Sequence, residues 1–444
     1  MGDGKGMREE NQLYWIWLSE RFGTGSKYFP SFADKFDDPY DVYRMSEEEI
    51  ERIDGLSDRL KERLCDKELD SAYSILKFCK KNKTEVIGYG DTRYPKRLKT
   101  IENPPVLLYC MGELPDIDRV LCVGMVGTRK MSEYGKQTAY KISYELAAAN
   151  ACIVSGMAVG IDAVCACGAI EGGGKTVAVL GGGLAVVYPR EHERLMRSIV
   201  KHGAVISEYP PFERPKPHNF PQRNRIISGL CQGVVVVEGA HGSGALITAA
   251  RAISQGRELF AIPGKVSDYG SEGPNELIRN GANVILSADD IINHYDFLYH
   301  DAINYRSFSS AKKKSHFTER ALKAYGVSAT YHKGRFAKQD VADEPSAFET
   351  AENESNTEQK IQIDAKDELA FETDGKSDGE KETLLASMDK GSRDVYAMLP
   401  DGVSFTPDSI AGNGLSVSQI MTALTILEIS GLVTSLPGGT YKKK

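Results

Sequence analysis

The sequence predicts an α/β fold: a doubly wound, mostly parallel, Rossmann-like sheet with a helical domain before it and a winged-helix-like domain after it. Three observations carry this. Between residues 118 and 296, short apolar runs alternate with helical stretches, the pattern of a parallel sheet covered on both faces. Residues 1–85 instead show apolar positions at helical spacing. Residues 386–444 run helix, turn, helix and then a glycine-tipped hairpin.

Taken in order, "LYWIWLSERF" reads as a helix, and "SEEEIERIDGLSDRLKERL" opens on a Ser46–Glu49 capping box and breaks at Gly55. The "IDGLS" turn between helices resembles a helix-hairpin-helix or SAM-like module; a small bundle with no DNA contact is the alternative. Residues 86–117 are strand-like pieces interrupted by prolines, a lead-in to a central domain spanning 86–297. From 119 the strands are "VLCVGMVG", "CIVSG", "TVAVLGGG", "AVISEY", "GVVVVEG" and "ELFAIPG", with "NVIL" closing the series. The helices between them start at Ser132 (a plausible N-cap), in "GIDAVCACGAIEGG", in "REHERLMRSIVKH", in "PQRNRIISGLC", in "SGALITAARAISQG" and in "GPNELIRNGA".

Residues 298–385 read as a charged, disordered linker, with a basic "SAKKKSHFTER" and an acidic, polar stretch at 341–382 that has too few apolar residues for a core. In the last domain, the helix from Ser416 carries an apolar stripe at Ile420, Leu424 and Leu427. Its outward positions Gln419, Thr422 and Glu428 lack Arg and Lys, which argues against groove reading despite "YKKK" in the wing; a protein-contact module competes.

At 444 residues the chain has room for about two to three domains at ~150 residues each. It shows no apolar signal core and no run approaching the ~18 apolar residues of a membrane span, so a cytoplasmic protein without membrane contact is expected. Of its eight cysteines, most sit in apolar segments, and the Cys165–Cys167 pair lacks a partner pair at zinc spacing. No metal or cofactor is expected. The formal net charge is −7, but residues 341–382 carry 14 Asp and Glu against four Lys, a net of −10, so the rest of the chain is about +3. An anionic ligand is therefore compatible with the acidic average.

Two motifs mislead. "GGGKT" (Gly172–Thr176) imitates a phosphate-binding loop, but a helix precedes it and a strand follows, the reverse of what that loop needs. "GMVGT" is not GxGxxG and has no acidic residue suitably placed for a ribose. What remains are four Gly/Ser-rich loops between strand ends and helix starts: "VGTRKMSEYG", "SGMAVGID", "LGGGLAVVYP" and "EGAHGSGALIT". Free N–H groups and helix dipoles make such places anion sites. Four on one sheet edge, with no catalytic acid or base among them, fit polynucleotide phosphate better than one small cofactor. "FPQRNR" lies at that same edge. Arg129, Arg223 and Arg225 offer planar donor forks for phosphate, and Phe220 and Tyr209 offer rings for bases. Arg223 and Arg225 are two apart, so a helix points them in different directions, and Glu238 or Glu208 is a possible partner for one.

Together, "GTRKMSEYG", "SGMAVGIDA", "TVAVLGGGLAVVYP", "SEYPP", "FPQRNRIISGL", "GVVVVEGAHGSGALITAARAISQGRELFAIPG" and "GPNELIRNGA" resemble the DNA-processing protein A family over residues 90–296. The resemblance implies a dimeric, non-enzymatic, single-strand DNA-binding protein that shields incoming DNA and loads the RecA recombinase during natural transformation (competence). Carried over residue by residue, it implies DNA contacts at Arg129, Ser155, Gly156, Phe220, Arg223, Asn224, Arg225, Ser243, Gly244 and Lys265. This chain departs from the family pattern at Ala166, where the family commonly has His, at Ala185, where it often has Asp, and near His192, where it usually has Asn. The alternative is a Rossmann-like nucleotide-processing enzyme of the nucleoside monophosphate phosphoribohydrolase type. Those enzymes carry "PGGxGTxxE", where this chain has "EGAHGSGALITA" with no glutamate in the helix turn.

Overall fold

The computed structural model describes residues 9–328 and, further on, 385, 388, 390–400, 403–410, 420, 423–424, 427–428, 432–436 and 440–443. The chain divides into two compact units, Met1–Pro345 and Ser346–Lys444.

The first unit opens with helices α1 (Glu9–Phe22), α2 (Phe29–Ala33), α3 (Pro39–Arg44), α4 (Glu47–Glu51), α5 (Asp58–Cys65) and α6 (Asp70–Lys81). Their ends follow from local chemistry. Asp38 accepts the Tyr40 N–H ahead of a proline at the first helical position, and Ser46 and Glu49 form the reciprocal box expected. The turn between α4 and α5 uses Gly55 at φ +88°. These helices do not enclose a core of their own. Trp15, Trp17, Phe29 and Leu64 belong to the same buried cluster as Val86, Leu107 and Tyr109 of the sheet. Gly88 makes the seam possible, since a Cβ there would lie 2.5 Å from the Trp15 ring.

The sheet and its helices follow in sequence: β1 (Thr84–Gly88), α7 (Lys96–Lys99), β2 (Leu107–Gly112), β3 (Cys122–Val126), α8 (Glu133–Ala148), β4 (Cys152–Ser155), α9 (Ile161–Glu171), β5 (Thr176–Val179), α10 (Glu193–His202), β6 (Gly203–Ser207), α11 (Asn219–Leu230), β7 (Gly233–Val236), α12 (Gly244–Ser254), β8 (Glu258–Ala261), α13 (Glu272–Arg279) and β9 (Asn283–Val284). Nine strands line up as β1-β2-β6-β5-β4-β3-β7-β8-β9. From β6 to β9 every pairing is parallel, while β2 joins β6 and β1 joins β2 antiparallel. The strand order reverses at β3, which lies between β4 and β7, so the switch-point crevice falls at the carboxyl ends of β3 and β7. Apolar strands buried on both faces account for the continuous rather than alternating sequence pattern.

The expectation of a disordered segment from 298 is corrected over its first part. Helices α14 (Ala288–Tyr299), α15 (Tyr305–Ala311) and α16 (Glu319–Ala324) are followed by an ordered turn through Val327. Ile303, Phe308, Ala321, Leu322 and Val327 enter the main core, so residues 303–328 form a strap over α8 and α9. The acidic stretch at 341–382 lies outside the described residues.

In the second unit, α17 (Lys390–Met398) and α18 (Pro407–Ile410) accompany β10 (Ser404–Phe405), β11 (Val433–Leu436) and β12 (Thr440–Lys443), which form a sheet in the order β10-β12-β11. Ile420, Leu424 and Leu427 are buried against Val395, Leu399 and Phe405, as their spacing predicts. Gln419 and Thr422 lie outside the described residues. No helix among the described residues is long and apolar enough to cross a membrane.

Candidate nucleic-acid interface

The crevice at the switch point is filled by the chain itself. Glu238, just past β7, accepts the backbone N–H of Ser132 at 2.9 Å and also its hydroxyl, while the Ser132 hydroxyl caps α8 by accepting from Gly135 N at 3.0 Å. Gly135 leaves the room required, because a Cβ there would sit 2.2 Å from the Glu238 carboxyl group. A carboxylate thus holds the helix N-terminus where a dinucleotide fold places its pyrophosphate.

The open cleft lies beside it, over the ends of β4 and β5. It contains about 450 Å³ of space open to solvent and is walled by Arg129, Gly156, Gly181, Tyr188, Pro215 and Phe220. Three loops meet here: the one after β3 brings Arg129, the one after β4 brings Gly156, and the one after β5 brings Gly181 and Tyr188. The first two turns of α11 supply Phe220 and Arg223, which fall on one face because they are three residues apart.

Arg223 forms the floor. Its Nη1 donates to the Gly156 carbonyl at 2.9 Å and to the Val179 carbonyl, and its Nε donates to Asn224 Oδ1 at 3.2 Å. Burial pushes its pKa down to about 10, against the pull of Asp162, so it remains a cation at neutral pH. Asp162 accepts the Gly156 N–H at 3.2 Å; burial raises its pKa, with Arg223 opposing. Gly156 leaves room for this arrangement, since a Cβ there would lie 2.6 Å from the Arg223 guanidinium and displace it. Two guanidinium groups approach the Phe220 ring, Arg129 at 5.6 Å and Arg223 at 5.8 Å from its centre, and its ring is 5.6 Å from that of Tyr188. His192 ties two walls together: its Nδ1 bonds the Met157 carbonyl at 2.9 Å, and burial lowers its pKa. The result is a buried cation under a glycine loop, with an exposed guanidinium and two aromatic rings at the mouth. That combination offers donors of the kind a phosphate needs and rings of the kind a flat base stacks on.

Four expected residues, Arg129, Gly156, Phe220 and Arg223, meet in this cleft. Others do not. Arg225 is the main correction. Its Nη2 pairs with Glu208 at 2.5 Å, both side chains are buried, and Glu208 also accepts Gly25 N–H at 3.0 Å from the loop before α2. At 100° per residue, Arg225 lies about 200° around α11 from Arg223, so one arginine faces the cleft and the other faces the N-terminal helices. Tyr209 is also corrected: it is buried, with its hydroxyl donating to the Asn219 carbonyl, and offers no face to a base. The Ser155 hydroxyl donates inward to the Met125 carbonyl at 2.7 Å. Asn224 bridges Arg223 to the Gly244 carbonyl at 3.5 Å, which makes it scaffold. Ser243 and Gly244 begin α12, and Lys265 is exposed beyond β8; none of the three lines the cleft. Sequence reasoning passed over Tyr188 and Asp162. The Tyr-Pro pair at the end of the glycine loop and the acidic residue inside "GID" were the available signals.

Residues 85–296 match the family model described as DNA recombination-mediator protein A, and residues 408–439 match a DprA winged helix domain. The chain is 43% identical over 205 residues to the DNA processing protein DprA of Bacillus subtilis, covering 46% of this chain and 69% of that one. The chain belongs to the DNA recombination-mediator protein A family. It is likewise 43% identical over 207 residues to the DNA processing protein DprA of Streptococcus pneumoniae, covering 47% of this chain and 73% of that one. The X-ray structure of DprA from that organism superposes with a TM-score of 0.55 at 36% identity, covering 63% of this chain and 97% of the other. The match to the DNA recombination-mediator family embraces the whole cleft, from Arg129 to Arg223, and its winged-helix part falls on the second unit.

Proposed function

We propose that this protein binds single-stranded DNA through the cleft over β4 and β5, as a cytoplasmic, dimeric recombination mediator that hands the strand to the RecA recombinase during natural transformation. The observation that carries the reading is the approach of Arg129 and Arg223 to the Phe220 ring, at 5.6 and 5.8 Å, beside a glycine loop. Rings accept any base and cations accept any phosphate, so binding is sequence-tolerant and salt-sensitive. Membership in the recombination-mediator family supports the role, and the carboxylate in the switch-point crevice argues against a bound dinucleotide.

The test is a fluorescence titration with single- and double-stranded oligonucleotides across salt concentrations. Single-stranded oligo-dT is expected to bind more tightly, with affinity falling steeply as salt rises. Arg129 is exposed, so Arg129→Glu leaves the fold intact and is expected to weaken oligo-dT binding at least tenfold, or about 1.4 kcal/mol. No binding by the wild type at low salt defeats the proposal. So does release of free base from nucleoside monophosphates incubated with the protein, which would favour the phosphoribohydrolase alternative. RecA hand-off is read separately, as faster RecA filament growth on oligonucleotide covered by single-strand-binding protein.

A further inference from the structure

The strap at 303–328 has two unlike faces. Its apolar side chains point inward, with Ile303, Phe308, Ala321, Leu322 and Val327 all in the main core. Its polar ties are specific: Ser315 donates to Glu145 of α8 at 2.6 Å, Phe317 meets Tyr140 of α8 at 5.5 Å, and Tyr325 donates to Glu171 of α9 at 2.6 Å. Its outer face is cationic. Arg306, Lys312, Lys313, Lys314, Arg320 and Lys323 are all exposed, against a single strap carboxylate, Glu319. Lys312 pairs with Asp289 and Lys323 with Glu319 at 3.8 Å. Among the described residues, Arg306, Lys313, Lys314 and Arg320 form no ion pair.

The strap ends beside the segment that follows the cleft wall. Gly326 packs against the Glu191 carbonyl and the Arg194 side chain, and Glu191 follows Pro189 of the cleft wall by two residues. α16 packs on α9, which starts two residues past Val159 of the cleft wall. Asp289 and Asp296 of α14 meet the strap at Lys312 and Tyr305, which leaves Lys313, Lys314 and Arg320 without an ion pair among the described residues, and such a cluster concentrates an anionic polymer.

We propose that the strap continues the phosphate track of the cleft: single-stranded DNA leaving the Phe220 site runs past α10 onto α16 and then over Lys313 and Lys314. This rests on the single-strand reading of the cleft. The strap's exposed ring, Tyr305, is tied by its hydroxyl to Asp296 and precedes Lys313 by eight residues, so the strap offers mainly phosphate contacts and adds length and salt dependence with little base preference.

The test uses the full chain and fluorescence anisotropy with two oligo-dT probes, one of about six nucleotides that fills the cleft and one of about thirty that overruns it. The variant is Lys313→Glu/Lys314→Glu/Arg320→Glu, with Lys313→Gln/Lys314→Gln/Arg320→Gln as its uncharged counterpart. The short probe is expected to bind the wild type and both variants within twofold. The long probe is expected to lose at least tenfold on charge reversal. In the Gln variant its log–log salt slope shrinks by about 2, from three phosphate contacts at ~0.7 each. Unchanged affinity and slope for the long probe overturn the strap proposal while leaving the cleft reading intact, and assign these cations to a protein partner instead. Equal loss for both probes also overturns it, because the strap then acts through the cleft. A wild type that binds neither probe defeats the cleft reading itself, and the strap with it.

Discussion

Arg225→Met separates a structural arginine from a ligand-binding one. The substitution keeps an unbranched apolar stem and removes the guanidinium that pairs with Glu208 at 2.5 Å. The Glu208 side chain is only 3% exposed, and it also accepts the Gly25 N–H at 3.0 Å. A carboxylate stranded in that position costs about 3–5 kcal/mol of stability. Both tryptophans of the chain, Trp15 and Trp17, lie in the core of the first unit, so their fluorescence in a urea titration follows that unit alone. The midpoint is expected to fall, and Glu208→Gln in the Arg225→Met background is expected to recover a large part of the loss, giving a strong coupling between the two sites in a double-mutant cycle. Oligo-dT affinity of the folded variant is expected to stay within about threefold of wild type, under ~0.7 kcal/mol. A variant that keeps its urea midpoint yet loses tenfold in DNA affinity refutes the reasoning, because Arg225 would then face the strand and not Glu208.

Two further outcomes follow from the cleft. Phe220→Leu keeps apolar volume but removes the ring that Arg129 and Arg223 approach, and is expected to weaken single-strand binding about tenfold, while Phe220→Tyr stays near wild type; stacking of ~1–3 kcal/mol per base sets the scale. His192 is held neutral by burial, so its folded pKa lies below the unfolded value of ~6.5. The unfolded state therefore takes up more protons: this contribution to stability is complete above about pH 6.5 and is lost as pH falls toward the folded value, with a slope of at most ~1.4 kcal/mol per pH unit. Urea midpoints from pH 7.5 down to 5.5 should show that extra decline in the wild type, and His192→Asn should flatten it; equal slopes would remove His192 as its source.

The central sheet is legible in the sequence because strands buried on both faces must be short apolar runs, and "CVGMV", "TVAV" and "GVVV" have no other soluble use. The cleft is half legible. Gly156 and Arg223 announce themselves as glycine loop and cation, but their mutual contact is not a local property. Arg225 shows the limit: "RNR" states that the two side chains diverge by about 200°, and only the docking of the N-terminal helices decides which one meets solvent. Residues 303–328 were hidden by charge. "AKKKSH" masks the apolar positions Phe308, Ala311 and Leu322, whose burial depends on α8 and α9, far away in sequence. The sharing of one core by the helical head and the sheet was hidden too, since Trp15 and Gly88 meet across more than seventy positions.

That meeting bears on how the protein can be handled. An indole lying on a bare backbone works like a hand on a table edge: lift it away, together with the helices behind it, and the outermost strand loses its cover. A fragment trimmed to begin at Thr84 would present an oily ledge made by Val86, Leu107 and Tyr109, ready to stick to any similar ledge. Clumping of such a fragment would report the missing head, and would say nothing about the cleft.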